Sequence, residues 1–236
     1  MGGDATPLGS RTALVTGASR GIGRAVATAL ARAGARLTLV ARDAARLAPL
    51  ASQLGARAVS CDVGNRSDVE RVVAGIGQAP DILVNNAGLF ELARVEDTTP
   101  TAFESALAVN LVAPFRLVRA FLPAMRARGR GDIVSIGSVA DHTTFPENGA
   151  YAASKHALRA LHDVLRSELR GSGVRVTLVS PGPVDTTLWD PIGPDSRDGF
   201  TPRSHMLSPD AVAAAVLYAV TQPPDVDVDL VRLSHS

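Results

Sequence analysis

Cysteine and long apolar runs are scarce in this sequence, and each scarcity excludes a class of protein. The single cysteine, Cys61, has no partner for an internal disulfide. The apolar run at 211–220 is about half as long as a bilayer span requires, and the first residues lack the charged and apolar segments of a secretory signal. We therefore expect a cytoplasmic protein without a membrane-spanning segment.

An excess of charge of one sign is also missing. The chain has 24 lysine and arginine residues against 23 aspartate and glutamate residues, and its net charge is +1 at pH 7. Because these residues are interspersed, no basic stripe suits a phosphate backbone, and a nucleic-acid partner is not expected. The 236 residues are enough for one α/β domain, which needs no metal ion or disulfide to hold its core together.

Short β-branched or leucine-rich runs alternate with longer helical patterns, which is typical of βαβ units and a mostly parallel sheet. Strands are predicted at 12–16, 36–41, 56–60, 82–85, 132–136, 174–179 and 228–233. Helices are predicted at 22–33, 44–54, 68–76, 102–128, 152–170 and 209–220. No linker divides the chain. Residues 1–236 are therefore predicted to form a single doubly wound, Rossmann-type α/β domain, with a small irregular lid at about 184–208.

Turn residues follow several of these strands, at the edge of the sheet where such folds bind ligands. The first strand leads into the glycine-rich turn 16–23, where free N–H groups at a helix N-terminus would hold a pyrophosphate. Segments 61–63, 85–88 and 181–186 follow other strands, and Asp62 is a candidate acceptor for an adenine amino group. Each segment alone is typical of an ordinary turn or of tight packing, but together they favour a dinucleotide.

Tyr151 and Lys155 lie four residues apart at the start of a predicted helix, so they share one helix face. Lys155 is the only lysine in a chain that otherwise uses arginine, which suggests that a compact ammonium is required there. A nearby ammonium would favour the phenolate of Tyr151 and so assist acid/base chemistry. The alternative is an ordinary surface pair.

Two further polar residues are candidates for the same chemistry. The hydroxyl of Ser138, which follows a strand, would polarise a substrate carbonyl, unless it is simply a solvated serine at a strand end. Asn110 lies inside a predicted helix, four residues before Pro114. Because proline has no N–H, the Asn110 carbonyl loses its helical partner and is free to hold a water molecule. A packing kink is the alternative.

The motifs Thr-Gly-x-x-x-Gly-x-Gly, Asn-Asn-Ala-Gly, Tyr-x-x-x-Lys and Pro-Gly-x-x-x-Thr, with Asn110 and Ser138 between them, closely resemble the short-chain dehydrogenase/reductase family from about residue 11 to 233. The resemblance implies hydride transfer at the nicotinamide ring, with Tyr151 as general acid in ketone reduction and general base in alcohol oxidation. It also implies that Ser138 binds the reacting oxygen, that Lys155 holds the nicotinamide ribose and lowers the tyrosine pKa, and that the Asn110 carbonyl anchors a water molecule.

The resemblance extends to the cofactor site and to assembly. It implies that Val184 and Thr186 hold the carboxamide side of the cofactor, and that the helices around Asn110 and Tyr151 form the interface of a homodimer or homotetramer. Two features depart from the family pattern. Asp141 stands where glycine is common, and the tail at 229–236 stands where family members often have an Asp-Gly-Gly turn. The predicted cofactor-binding residues are Gly17, Ser19, Arg20, Gly21, Ile22, Gly23, Arg42, Asp62, Val63, Asn85, Ala87, Gly88, Tyr151, Lys155, Pro181, Gly182, Val184 and Thr186.

The residues after the second strand bear on the choice of cofactor. A carboxylate near that point would accept from both adenosine-ribose hydroxyls and favour NAD, but the sequence places Arg42 first and Asp43 one residue later. Arg20 is expected to approach the same corner from the other side. Because arginines bind phosphate strongly, we predict NADP(H). The alternative is that Asp43 turns onto the ribose, Arg42 points to solvent, and NAD(H) binds.

The leading hypothesis is an NADP(H)-dependent carbonyl reductase or alcohol dehydrogenase. A catalytically silent dinucleotide-binding sensor or scaffold is the alternative from another class, since fold and cofactor site do not prove turnover. A Ser138–His142 hydrolase has less support, because the Gly-x-Ser-x-Gly elbow is missing. Apolar residues near the expected site favour an apolar ketone or alcohol as substrate, unless they only pack the lid. These residues are Phe90, Phe145, Leu188, Trp189, Ile192, Phe200 and Met206.

Overall fold

The architecture is a parallel sheet covered by helices on both faces, as a computed structural model of the chain describes it for residues 6–236. Its seven strands are arranged in the order β3-β2-β1-β4-β5-β6-β7, and every neighbouring pair is parallel. This confirms the predicted doubly wound fold. The strands are β1 Thr12–Thr16, β2 Arg36–Ala41, β3 Arg57–Ser60, β4 Ile82–Asn85, β5 Gly131–Ile136, β6 Val174–Pro181 and β7 Leu230–Leu233.

Seven α-helices occur within the described residues, and four of them begin at a side-chain cap. The side chains of Asp43, Asn65, Thr99 and Ser208 each accept a hydrogen bond from the backbone N–H three residues later, which satisfies a donor that the helix itself cannot pair. The helices are α1 Gly21–Arg32, α2 Ala44–Gln53, α3 Arg66–Ile76, α4 Pro100–Leu107, α5 Ala113–Ala127, α6 Gly149–Leu169 and α7 Pro209–Thr221.

The prediction of one continuous helix at 102–128 is wrong, because the structure has two helices there, α4 and α5. A π-helical turn, Ala108–Val112, joins the two helices and contains Asn110. Pro114 follows in the first turn of α5, where its missing N–H cannot make the α-helical hydrogen bond. A π turn changes the hydrogen-bond spacing locally and often marks a functional position. The interruption thus gives Asn110 a special place in the helix.

The core consists of two clusters of buried side chains, one on each face of the sheet. Helices α1, α2 and α7 cover one cluster, and α3, α5 and α6 contribute to the other. Successive side chains of a strand point to opposite faces of the sheet. In β1, Val15 therefore belongs to the first cluster and its neighbour Leu14 to the second. Because both faces are covered, the polar residues that follow the strands are left at the carboxyl edge.

The segment Pro100–Ala127 has the length and apolar character of a membrane span, with a mean hydropathy of 1.4 in its most apolar window. Such evidence is weak, because a core helix passes the same test. Leu117, Phe121 and Met125 of this segment are buried in the core. In all, 39% of that window is buried inside the protein.

Candidate active site

The glycine-rich turn folds tightly onto the first turn of α1 and the end of β4. Gly17 and Gly21 have φ angles of +66° and +52°, which side chains rarely adopt. At Gly23, a Cβ atom would lie 2.2 Å from the Gly17 carbonyl oxygen and 2.5 Å from Nδ2 of Asn86. Arg20 precedes α1 in an extended conformation and makes no side-chain cap. The N-terminus of α1 is therefore open to an anion.

Asn86 and Thr16 connect this turn to β4. The hydroxyl of Thr16 accepts from the backbone N–H groups of Asn86 and Ala87 at 3.0 and 3.1 Å, and Nδ2 of Asn86 donates to the Thr16 carbonyl at 2.8 Å. The predicted cofactor-binding residue of this pair was Asn85, but its side chain is buried in β4 and does not line the cavity. Because successive strand residues face opposite sides, the second asparagine of the pair reaches the ligand edge.

A cavity of about 880 Å³ runs along the carboxyl edge of the sheet. Apart from Asn85, all the predicted cofactor-binding residues line it, from Arg42 beyond β2 to Thr186 beyond β6. The methyl group of Thr186 would lie 3.1 Å from a Cβ atom at Gly21, so the loop after β6 closes against the glycine-rich turn. The predicted segments therefore meet at one elongated site.

Ser138, Tyr151 and Lys155 line the same cavity at the carboxyl end of β5. Ser138 caps the short 3₁₀ helix Val139–Asp141, and its hydroxyl accepts from the Ala140 N–H at 3.1 Å. The ammonium of Lys155 donates to the Ile136 carbonyl at 2.8 Å and lies 5.5 Å from the centre of the Tyr151 ring. The predicted catalytic groups thus come together on β5 and on the first two turns of α6.

Asn110 does not line the cavity, although it was predicted as a catalytic residue. Its side chain, which is 1% exposed, accepts from the Leu89 N–H at 2.8 Å and donates to the Leu89 carbonyl and to the Ser154 hydroxyl, each at 2.9 Å. Ser154 is adjacent to Lys155 on α6. Through these contacts, Asn110 fixes the segment after β4 and the helix that carries Tyr151 and Lys155.

Burial shifts the proton affinity of the tyrosine–lysine pair. It raises the pKa of Tyr151 to about 12 and lowers the pKa of Lys155 to about 8, because both charged forms lose hydration. Hydrogen bonding to Ser138 lowers the pKa of Tyr151 and opposes this shift. That Lys155 lowers the tyrosine pKa stays a prediction; in this structure its ammonium donates to the Ile136 carbonyl. A pKa near 8 still leaves Lys155 mostly charged at neutral pH.

The adenosine end of the cavity is lined by Arg42, Asp43 and Arg46. The carboxylate of Asp43 accepts from the Arg46 N–H at 3.0 Å and forms an ion pair with Nε of Arg46 at 3.1 Å. Arg42 forms no ion pair within residues 6–236. Arg20 also lines the cavity but donates to the Thr187 hydroxyl at 3.1 Å, so the prediction that it approaches the Arg42 corner is not borne out. Arg46 was missed, although it follows Arg42 at helical spacing.

Aromatic side chains surround Tyr151 on the substrate side. The ring of Phe90 lies 4.8 Å from Tyr151 and 5.2 Å from Trp189, and Phe200 lies 6.4 Å from Trp189, all centre to centre. Phe145 and Leu188 also line the cavity. Ile192 and Met206, which were expected near the substrate, do not. Met206 is buried next to Leu207, whose backbone pairs with the loop at Val184.

Two charged residues that were not predicted from the sequence also face this apolar wall. Arg197 of the lid pairs with Glu147 at 2.5 Å, and its guanidinium lies 4.6 Å from the centre of the Phe200 ring. Both charged residues line the cavity. Fifty positions separate them in the chain, so nothing in the local sequence indicates the contact.

Comparison with known proteins agrees with this geometry. The sequence profile of the family described as short chain dehydrogenase matches residues 11–197. The chain belongs to the short-chain dehydrogenase/reductase family. Accordingly, it is an oxidoreductase whose fold binds a nicotinamide dinucleotide, as the motifs predicted.

Relatives of this short-chain dehydrogenase/reductase align over nearly their full lengths. An uncharacterised oxidoreductase of Staphylococcus aureus strain MW2 is 34% identical over 230 residues, which are 95% of this chain and 96% of that protein. An alcohol dehydrogenase from Thermococcus sibiricus, complexed with 5-hydroxy-NADP, has a TM-score of 0.83 and 33% identity over 96% of this chain and 97% of that one. The closed form of a serine dehydrogenase complexed with NADP⁺ has a TM-score of 0.85 and 29% identity, with coverages of 94% and 93%.

The residues of the site fit a dinucleotide. A close-packed glycine turn precedes the uncapped start of α1, as pyrophosphate binding requires. From this turn, the cavity extends in one direction to Arg42 and in the other to Tyr151. The site therefore has room for an adenosine half at one end and a nicotinamide half beside the catalytic groups.

We predict that Gly23→Ala lowers both thermal stability and affinity for the cofactor, the latter by about tenfold or more, because the added methyl group displaces the turn from the pyrophosphate. Gly75→Ala in α3 is the control. Its Cβ atom would lie 3.6 Å from the nearest atom and outside the cavity, so it should leave affinity unchanged and stabilise the helix by up to about 1 kcal/mol. Calorimetric titration and thermal unfolding measure both effects. Wild-type affinity in Gly23→Ala would show that the close approach is not needed.

Proposed function

We propose that the protein transfers a hydride between NADP(H) and a carbonyl compound or secondary alcohol, with Tyr151 as general acid and base. The observation that carries this proposal is the convergence of Ser138, Tyr151 and Lys155 in one dinucleotide-sized cavity. When bound, the nicotinamide ring supplies or accepts the hydride. A catalytically silent dinucleotide-binding protein would not need the three groups together.

The proposed roles follow from the hydrogen bonds of each group. The Ser138 oxygen accepts from the Ala140 N–H, and its hydroxyl hydrogen-bonds Tyr151, so in the complex its O–H would turn from Tyr151 to the substrate oxygen. Tyr151 gives its phenolic proton to that oxygen during reduction and takes it back during oxidation. Lys155 uses one of its three donors on Ile136, which leaves two for ribose hydroxyls and a charge beside the tyrosine.

The preference for NADP(H) is supported by the engagement of Asp43. A carboxylate that caps α2 and pairs with Arg46 has less tendency to turn onto an adenosine ribose. Arg42 and Arg46 then present two guanidinium groups to a 2′-phosphate. NAD(H) remains the alternative and requires that Asp43 leave its cap.

The aromatic wall supports an apolar ketone or alcohol as the substrate. Phe90, Trp189 and Phe200 stack edge to face from Tyr151 outwards, and this arrangement favours a ligand with an apolar body. The charged pair Glu147–Arg197 is already neutralised internally.

We further propose that the enzyme acts in the cytoplasm on a small molecule, as a carbonyl reductase or alcohol dehydrogenase.

Tyr151→Phe should retain cofactor binding and lose about 10²–10⁴-fold in turnover, because the ring remains and its exchangeable proton is removed. Tyr218→Phe is the matched control, since Tyr218 is the other tyrosine and lies 56% exposed outside the cavity. Turnover is followed by nicotinamide absorbance with a panel of aldehydes, ketones and secondary alcohols. If Tyr151→Phe keeps more than about a third of wild-type turnover, the proton-transfer assignment fails.

Arg42→Ala should lower kcat/KM for NADP(H) by about 10–100-fold and leave the value for NAD(H) nearly unchanged, because a charge-assisted hydrogen bond to phosphate is lost. Arg66→Ala provides the control, since Arg66 is exposed on α3 and pairs only with Glu70. Both cofactors are titrated against each variant. A wild-type enzyme that prefers NAD(H), or a preference unaffected by Arg42, would contradict the assignment.

We also propose a homodimer or homotetramer joined through α4, α5 and α6. Phe103, Phe115 and Val164 on these helices are 39%, 47% and 52% exposed, which is unusual for large apolar side chains. Val118, also on α5, is buried in the core. Light scattering at micromolar concentration should show a dimer or tetramer that Phe115→Glu weakens and that Gln53→Glu, an equal charge change on α2, does not. A wild-type monomer would refute the interface.

A further inference from the structure

Asp141 is a buried carboxylate beside the catalytic groups. It ends the 3₁₀ helix that follows β5, and it is 1% exposed. Glycine is common at this position in the family that the sequence resembles, so the carboxylate departs from the family pattern. A buried charge is costly unless it has partners, which makes the partners of Asp141 informative.

Both oxygens of the Asp141 carboxylate are engaged. Oδ2 accepts from the backbone N–H of Ser138 at 3.3 Å and from the hydroxyl of Ser180 on β6. Oδ1 lies 2.7 Å from Nδ1 of His142 and 3.7 Å from a guanidinium nitrogen of Arg159. Together with the Ser138 hydroxyl, the bond to the Ser138 N–H completes a capping box. The carboxylate therefore helps to fix Ser138.

The surrounding residues leave space for this carboxylate. A Cβ atom at Gly137 would lie 2.5 Å from Oδ2 of Asp141 and 2.7 Å from the hydroxyl oxygen of Ser180. Ser180 is itself 2% exposed. A side chain at 137 would thus displace one of the two hydrogen-bonded groups, and the carboxylate occupies a built site rather than an accidental position.

The charged and titratable groups that face Asp141 come from two elements. Helix α6 contributes Tyr151, Lys155 and Arg159, and the 3₁₀ helix is followed by His142; the residue from β6, Ser180, is uncharged. The negative charge of Asp141 raises the pKa of both Tyr151 and Lys155. For Lys155, this effect opposes the lowering of the pKa that burial causes. For Tyr151, it adds to the increase in pKa that burial causes.

We propose that Asp141 is a positioning residue that orients Ser138 through the capping box and places a buried negative charge next to the pair Tyr151–Lys155. The catalytic part of this inference rests on the proposed function. A tyrosine that carries its proton beside a charged lysine is the form that donates to a carbonyl. The negative charge of Asp141 stabilises this doubly protonated form of the pair.

The test uses Asp141→Asn, which removes the charge and retains an oxygen that accepts from Ser138 and Ser180. Because Lys155 is the only lysine, lysine labelled with ¹³C at Cε gives a single NMR resonance, whose pH dependence reports this group alone. We expect its titration midpoint to fall by about one pH unit in Asp141→Asn. A folded variant with the wild-type midpoint would overturn the proposal.

Arg159→Gln gives an effect of opposite sign. Arg159 lies near Oδ1 of Asp141 with a side chain that is 30% exposed, so its removal leaves the carboxylate less compensated and should raise the Lys155 midpoint. Because Arg159 lies one turn after Lys155 on α6, its own charge contributes to the rise, and the double variant Asp141→Asn/Arg159→Gln, which should lack the part due to Asp141, separates the two contributions. A midpoint that is unchanged or lower in Arg159→Gln contradicts the proposed role of the charge.

Catalysis gives the second measurement. Since removal of a negative charge lowers the proton affinity of both members of a coupled pair, both apparent pKa values in the kcat/KM profile should move to lower pH in Asp141→Asn. A profile that keeps its position while only kcat falls would reduce Asp141 to a structural cap and overturn the electrostatic role. If wild type shows no hydride transfer with any substrate but the NMR midpoints shift as expected, the proposed function has failed and the charge effect stands.

Discussion

The burial of one ammonium group determines the arrangement of the catalytic side of this protein. Lys155 is 4% exposed and must remain charged next to a tyrosine that is partly buried. The carbonyl at the end of β5 accepts one of its hydrogens, and the charge of Asp141 compensates part of the lost hydration. Strand β5, helix α6 and the 3₁₀ helix Val139–Asp141 therefore have to lie at fixed distances from this ammonium, which explains why the three elements converge here.

Hydrogen bonds between side chains and neighbouring elements show how these distances are maintained. Asn110 joins the segment after β4 to Ser154 on α6, and the π-helical turn is the interruption that holds Asn110 in place. Thr16 and Asn86 make the corresponding connection between β1 and β4 below the glycine-rich turn. Both ends of the cavity are thus tied to the segment that follows β4, one through Asn86 and the other through Leu89.

The sequence predicted the sheet and most of the site because the relevant patterns are local. Buried runs of β-branched residues determine strands, and Tyr151 and Lys155 lie one helical turn apart. The failures have a different physical origin. The division at 108–112 depends on one missing N–H, and the difference between Asn85 and Asn86 depends on strand register. Contacts such as Ser180 with Asp141 and Arg197 with Glu147 join residues 39 and 50 positions apart, and only the folded chain brings them together.

The aromatic wall also gives the protein an internal optical reporter. Trp189 is the only tryptophan in the chain; its indole N–H donates to the Val184 carbonyl, and its ring lies between Phe90 of the body and Phe200 of the lid. Emission from an indole depends on the polarity and motion of its surroundings. Any rearrangement of residues 184–208 over Tyr151 will therefore change the intrinsic fluorescence, and a single tryptophan makes that change directly interpretable.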